Sequence, residues 1–333
     1  MTALPPELQA ALRQCGLAGA RPVNGEPLTG GVSSEIWRAD LPGGAVCIKR
    51  ALPRLRVAAD WQAPVERSRY EARWMAHAQS AWPGAAPRLL GEAGFCLVMQ
   101  YLPPATHLLW KTELAAGHAD PVFAARLGTM LAALHAAPAD PAAFDSQAIF
   151  HAIRLDPYLL ATARAHPDLA PALVRQTQTH ARAVVHGDVS PKNILAGPQG
   201  PVLLDSGPLG PVLLDAECAS WGDPAFDLAF CLNHLLLKTL WVSAASAALH
   251  GCFTALAGAY LPGVTWENPA ALEARAARLL PGLLLARIDG KSPVEYLSEP
   301  QRARVRHAAR AMLAEQADRL HAVAERFATG AAG

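Results

Sequence analysis

The chain has 333 residues, 52% of them hydrophobic and 17% charged, with 29 Lys and Arg against 28 Asp and Glu. That length exceeds what one core ordinarily serves and favours two lobes with a cleft between them. The even charge balance argues against a nucleic-acid partner or an anionic membrane surface.

Cys15, Cys47, Cys96, Cys218, Cys231 and Cys252 are spaced singly in apolar surroundings. They match neither a zinc site nor a secreted disulfide framework, so reduced thiols in a cytoplasmic protein are expected. Met1 to Glu7 has no basic run leading into an apolar one. Leu235–Leu237 and Leu279–Leu285 are too short to span a bilayer and are broken by Lys238 and Pro281. With no run of eighteen uncharged apolar residues identified, no membrane association is expected. The oligomeric state stays open.

In chain order, Pro6 to Cys15 has helical apolar spacing and predicts a short amphipathic helix. Leu28 to Trp37 and Ala39 to Lys49 read as two strands joined by a glycine-containing turn. Gly30 and Gly31, with Ser33 and Ser34 following, are small enough for backbone amides to approach phosphate oxygens. Arg54 to Pro64 is a polar, proline-bounded insertion, and Val65 to Ala78 reads as a helix carrying Glu66 and Glu71. Pro87 to Gly91 and Phe95 to Leu102 read as another strand pair, ending in a linker at Met99–Leu102. Pro103-Pro104 marks a boundary. Helices are then predicted at Pro121–Ala136, Ala148–Ala165 and Leu169–Ala183. His135 reads as structural, whereas Arg154 and Pro157-Tyr158-Leu159 have no assigned role.

The central stretch is Val185-His186-Gly187-Asp188-Val189-Ser190-Pro191-Lys192-Asn193-Ile194-Leu195, with Asp215-Ala216-Glu217 downstream. A carboxylate, then a carboxamide five residues on, then a second carboxylate form a set able to orient a hydroxyl and hold the Mg²⁺ of a nucleoside triphosphate. Asp188 would accept the acceptor hydroxyl's proton, with Asn193 and the later aspartate as metal ligands. Between them lies a tandem repeat: Gly197–Ser206 recurs as Gly207–Ala216 with two substitutions. Asp205 and Asp215 therefore compete for the metal. A Pro/Gly-rich insertion is tolerated best in a hairpin turn, which favours Asp215. Glu217, two residues on along the same strand face, could assist through a metal-bound water.

Asp223 fits the N-cap of a helix with Pro224 at its first position. Leu232 to Ala259 and Ala270 to Arg326 are helical by periodicity. They are interrupted by a polar stretch, Arg287 to Tyr296, in which Arg287 and Asp289 are candidates for lining an acceptor pocket.

The run from His186 to Leu195, with Asp215-Ala216-Glu217 and Trp221-Gly222-Asp223-Pro224-Ala225-Phe226-Asp227-Leu228-Ala229, resembles the aminoglycoside phosphotransferase and choline kinase family. Lys49-Arg50-Ala51-Leu52-Pro53 through Glu66–Glu71 is also similar to methylthioribose kinases. The catalytic loop departs from that branch at Ser190-Pro191-Lys192-Asn193. The resemblance implies an α+β, protein-kinase-like two-lobe fold with a small antiparallel-sheet N-lobe and a larger, mainly helical C-lobe. Residues 1–102 would form the nucleotide lobe and 103–333 the helical lobe with the acceptor site. It further implies ATP and Mg²⁺, with Lys49 on the α and β phosphates and Glu71 as its partner, Glu66 being the alternative. Gly30, Gly31 and Ser33 would lie over the phosphates, and Gln100, Tyr101 and Leu102 would form the hinge against the adenine. Asp227 would hydrogen bond the catalytic-loop backbone. A small hydroxylated metabolite, amino alcohol, sugar or aminoglycoside would receive the phosphate. The alternative is a catalytically impaired, kinase-like nucleotide-binding protein. No Asp-Phe-Gly to Ala-Pro-Glu activation segment is present, which disfavours a protein kinase.

Overall fold

A computed structural model describes residues 2–28, 33–54, 63–177, 180–198 and 209–331. The N-terminal part contains β1 (Thr2–Ala3), α1 (Pro6–Gln14), β2 (Asn24–Pro27), β3 (Ser34–Leu41), β4 (Gly44–Ala51), α2 (Arg67–Ala81), β5 (Leu89–Ala93) and β6 (Cys96–Gln100). The strands make a six-stranded sheet in the order β1-β2-β3-β4-β6-β5, antiparallel at every pairing. Leu41 pairs with Gly44, so the tight turn falls at Pro42-Gly43 and Ala39–Leu41 belongs to the first strand of the hairpin.

The helical spacing of α1 delivers Leu8, Ala11 and Leu12 onto the sheet, where Val46, Ile48 and Val98 complete a small core of their own. Burying each such aliphatic side chain stabilises by about 1.5–3 kcal/mol. This packing fixes the outer face of β4. The alternation of the strand then turns Lys49 to the opposite face.

After β6 come β7 (Leu108–Leu109), α3 (Trp110–Ala115), α4 (Pro121–Ala136) and α5 (Gln147–Phe150). A π-helical stretch, His151–Leu160, carries Pro157 and continues into α6 (Ala161–Ala165) and α7 (Ala170–Arg175). The helix expected to run to Ala183 stops at Arg175, and Ala183–Val185 forms β8. Pairing with β11 (Ser220–Gly222) draws Ala183 out of the expected helix, and the two valines that follow it suit a strand. β9 (Ile194–Pro198) and β10 (Leu209–Leu213) form a hairpin with β7 along β9. Their register pairs Pro198 with Leu209, so residues 199–208 connect the two strands. Asp205 itself is outside the described residues.

The remaining helices are α8 (Pro224–Trp241), α9 (Ser246–Tyr260), α10 (Pro269–Asp289), α11 (Glu299–Glu315) and α12 (Leu320–Gly330). Asp223 caps α8 by accepting from the Ala225 amide at 3.0 Å, with Pro224 in the first turn. The expected unbroken run from Leu232 to Ala259 is interrupted at 242–245, between α8 and α9.

The helical run Ser243–Gly263 is long and apolar enough by length and composition to cross a membrane, with mean hydropathy 1.2. This departs from the expectation that no such stretch exists. Its central helix α9 packs closely on α4, where a Cβ at Gly128 would collide with the Leu256 carbonyl.

Candidate active site

The site is built where the end of the sheet meets the β8–β9 loop. Lys49, buried on β4, places Nζ 2.7 Å from a Glu71 carboxylate oxygen on α2 and 2.5 Å from Oδ1 of Asp215. Burial opposes the ammonium, but Asp215 and Glu71 outweigh it and hold the lysine above its ordinary value. Asp215 follows β10 with φ of 65°, a left-handed conformation uncommon outside glycine. It stands in irregular backbone after the strand, so the shared strand face expected for Asp215 and Glu217 does not exist.

Asp188 is held from two sides. An Arg154 guanidinium nitrogen lies 2.7 Å from its carboxylate, and Lys192 Nζ lies at 3.2 Å. Burial pushes the carboxyl up, yet the two cations together hold it below the usual carboxylate range. Its Oδ1 has no hydrogen-bond partner among the described residues. Asn193 Nδ2 donates to the Asp188 carbonyl at 3.1 Å, which leaves Asn193 Oδ1 as a free acceptor group.

The loop is shaped from behind. Asp227 on α8 accepts from the amides of His186 and Gly187 at 2.6 and 2.8 Å, and His135 Nε2 approaches it at 3.2 Å. His186 Nδ1 accepts from the Asp188 amide while Nε2 donates to the Leu214 carbonyl. Burial lowers the proton affinity of this imidazole, the direction that pattern calls for. Trp74 packs edge-on against the ring, with centroids 4.7 Å apart. Gly187 adopts φ of 79°, and a Cβ there would meet the Cys218 side chain at 2.8 Å, so glycine is required.

A cavity of about 620 Å³ joins these groups. Lys49, Glu71, Asp188, Asn193 and Asp215 all face it, together with Ser33, Gln100, Tyr101 and Leu102. Gly30 and Gly31 lie outside the described residues. Glu217 also borders the cavity, but Arg67 takes it at 2.8 Å. Arg67 is fully buried and spends its remaining donors on the carbonyls of Ser33, Leu52, Ala63 and Pro64. Glu217 therefore ties the start of α2 to the metal-side loop, replacing the expected water-mediated metal role. Asp289 is engaged by Arg306 and His166 and does not border the cavity.

Among the described residues no cluster of three or more His, Cys, Asp and Glu side chains could hold a metal unaided. The donor set nonetheless suits Mg²⁺, which takes oxygen ligands and typically one or two protein groups plus phosphates. Asp215 and Asn193 Oδ1 would supply the protein share.

Residues 24–266 match the family profile described as the phosphotransferase enzyme family, APH. The chain belongs to this family. The fold agrees: the ethanolamine kinase of Plasmodium vivax superposes with a TM-score of 0.52 at 9% identity, covering 93% of this chain and 82% of that one. An aminoglycoside phosphotransferase from Alicyclobacillus acidocaldarius (17% identity, 100% and 98% coverage, TM-score 0.48) is also similar. So is a choline kinase from Cryptosporidium parvum (9% identity, 92% and 88% coverage, TM-score 0.48). A search of curated protein sequences gave no match. At such identities the likeness is one of fold.

The APH chain thus has the protein-kinase-like two-lobe architecture, with a small antiparallel-sheet lobe and a larger helical lobe, and is a small-molecule phosphotransferase. Sequence reasoning missed two residues of its catalytic loop environment. Arg154 sits 34 positions before Asp188 on a π-helical turn, where no local pattern marks it. Lys192 was inside the quoted motif, four residues after Asp188, and its proximity to that carboxylate was the available signal.

Proposed function

We propose that this protein is an ATP-dependent kinase that moves the γ-phosphate to a hydroxyl of a small molecule, with residues 1–102 as the nucleotide lobe, 99–102 as the hinge and 103–333 as the acceptor lobe. The observation that supports it most is the convergence of Lys49, Asp188, Asn193 and Asp215 on one cavity. Lys49 would contact the α and β phosphates, kept charged and aimed by Glu71. Gln100, Tyr101 and Leu102 border the cavity where an adenine edge would lie, and Ser33 borders it on the phosphate side.

Asp188 would accept a hydrogen bond from the acceptor hydroxyl and orient the oxygen for in-line attack. Its low proton affinity suits a loose transition state, in which the hydroxyl surrenders its proton late. The acceptor oxygen forms its bond to the γ-phosphorus as the bond to the β-bridging oxygen breaks, and the proton passes to the Asp188 carboxylate. Mg²⁺, held by Asp215 and Asn193, would offset phosphate charge. Asp215 is preferred to Asp205 as the ligand because it stands against Lys49. A cytoplasmic location accords with the dependence on ATP.

The test is Mg²⁺-dependent ADP release over a panel of hydroxylated metabolites, with Asp188→Asn as the blank. Turnover of at least one compound that disappears in the blank is expected. Identical traces for both proteins on every compound, with nucleotide still bound, would instead favour a non-catalytic nucleotide-binding protein.

A further inference from the structure

Arg67 opens α2 and is fully buried, yet it does not border the cavity. A guanidinium carries five N–H donors, and here every one is engaged. Nε donates to Glu217. One terminal nitrogen donates to the Ala63 and Pro64 carbonyls just before α2, and the other to the Ser33 and Leu52 carbonyls, beside the start of β3 and the end of β4. No donor is left for a phosphate. This side chain instead joins segments: the strands next to Ser33 and Lys49, the helix that carries Glu71, and the loop that carries Asp215.

Two ion pairs cross from the sheet and α2 to that loop. Lys49 meets Asp215 at 2.5 Å, and Arg67 meets Glu217 at 2.8 Å. Arg67 and Glu71 stand one turn apart on α2, and Asp215 and Glu217 stand two residues apart on the loop, so the pairs run side by side. The reaction asks different things of them. Lys49 and Asp215 both face the cavity. In the kinase function proposed above the lysine turns to phosphate oxygens and the carboxylate to the metal, so their mutual contact loosens in the loaded site. Arg67 has no such second task, and its pair persists.

Asp215 needs a support of this kind. Its φ of 65° is costly for a residue with a side chain, so its flanks must impose the conformation. Upstream, Leu214 is fastened at both backbone groups: its amide donates to the Asn193 carbonyl at 2.9 Å, and its carbonyl accepts from His186. Downstream, the Ala219 amide closes a turn onto the Ala216 carbonyl at 3.0 Å, and Arg67 holds Glu217 from the nucleotide side.

We infer that Arg67 is a positioning residue for the metal site: acting through Glu217, it keeps the Asp215 carboxylate in place once Lys49 has turned to the phosphates. This rests on the kinase function proposed above. Glu217 is then the far end of a tether and not a metal ligand, although it borders the cavity.

Thermal denaturation of the full chain tests this without turnover. With saturating ADP, Mg²⁺ is titrated into EDTA-treated protein, and the concentration giving half of the Mg²⁺-dependent rise in Tm is recorded. In Glu217→Ala that concentration should rise by about tenfold or more, while the rise given by ADP alone is kept. Glu217→Gln retains an acceptor oxygen for Arg67 and should stay within about threefold of wild type. Arg67→Lys keeps the charge but loses the planar fork, and should match Glu217→Ala. Should Arg67→Lys fail to fold, the two Glu217 variants decide.

A metal ligand at 217 gives the opposite pattern: Glu217→Gln as impaired as Glu217→Ala, and a folded Arg67→Lys unimpaired. Either half of that pattern would overturn the inference. So would a half-effect concentration unchanged in Glu217→Ala, the result of a pair that only stabilises the fold, or the absence of any Mg²⁺-dependent rise in wild type. ADP release over the hydroxylated panel is scored separately. The predicted Mg²⁺ shifts without Asp188-dependent turnover would refute the kinase function and leave the tether standing. Asp188-dependent turnover with an unchanged Mg²⁺ half-effect in Glu217→Ala would do the reverse.

Discussion

Arg154 and Asp188 form a buried ion pair at 2.7 Å, and the arginine also donates to the Gly187 carbonyl at 2.6 Å. One side chain thus fixes both the charge and the backbone of the catalytic loop. Removing one member of a buried pair strands the other, at a cost of roughly 3–5 kcal/mol when nothing else compensates. Lys192 remains beside Asp188, so Arg154→Met should cost less, about 1–3 kcal/mol of stability. It should also lower kcat by about tenfold to a hundredfold through misplacement of the carboxylate. A double-mutant cycle with Asp188→Asn checks the assignment. Coupling of about 1 kcal/mol or more is expected in thermal unfolding, and additivity would deny the pair an energetic role.

Asp227 is the anchor underneath. It accepts two loop amides, at His186 and Gly187, and faces His135, which in turn contacts the Tyr260 hydroxyl at 2.8 Å. In Asp227→Asn one of the two acceptor oxygens becomes a donor facing an N–H, leaving a buried amide unpaired. We expect a stability loss of about 2–4 kcal/mol and a large fall in kcat with KM for ATP changed by less than about threefold. Steady-state kinetics alongside thermal denaturation decide it. A changed KM with normal kcat would place the effect at the nucleotide.

What the sequence made legible were features written in local spacing. The strand lysine at 49, the helix carrying Glu71, the Asp188 to Asn193 interval and the cap at Asp223 are all short-range patterns. What it hid were partners delivered by tertiary packing. Arg154 reaches Asp188 only because a π-helical stretch around Pro157 turns it inward. Glu217 read as a metal-side carboxylate because nothing in its neighbourhood announced that Arg67, 150 residues earlier, would be buried against it. The helix expected from Leu169 was carried as far as Ala183 because the strand partner of Ala183–Val185, Ser220–Gly222, lies beyond the catalytic loop.

The tandem repeat yields a prediction about tolerance. Because Pro198 pairs with Leu209, replacing residues 199–208 by an Asn-Gly turn keeps the hairpin register and removes Asp205 altogether. Shortening the connection should stabilise the fold by about 1 kcal/mol through loop closure. If Asp215 is the metal ligand, the shortened protein should keep ADP release within about threefold, whereas Asp215→Ala should lose at least about a hundredfold. Loss of activity on shortening, with Asp215→Ala still active, would transfer the role to Asp205.

Lys238 gives the pH dependence. Burial first, then Lys111 on α3 and Arg287 on α10, push its pKa down to about 7, while Glu295 and Cys231 oppose the shift and Tyr296 lies under its ammonium. The unfolded chain, with an ordinary lysine, binds the extra proton up to well above pH 9. Between pH 7 and about 10 the unfolded state therefore holds more protons than the folded one, and this group's contribution to stability rises with pH across that window. Below pH 7 its penalty is complete. Lys238→Met should raise Tm at pH 6 by about 2 °C or more, and the gain should shrink steadily toward pH 9.5. A gain independent of pH would mean the lysine is charged in both states throughout, its penalty one of packing alone.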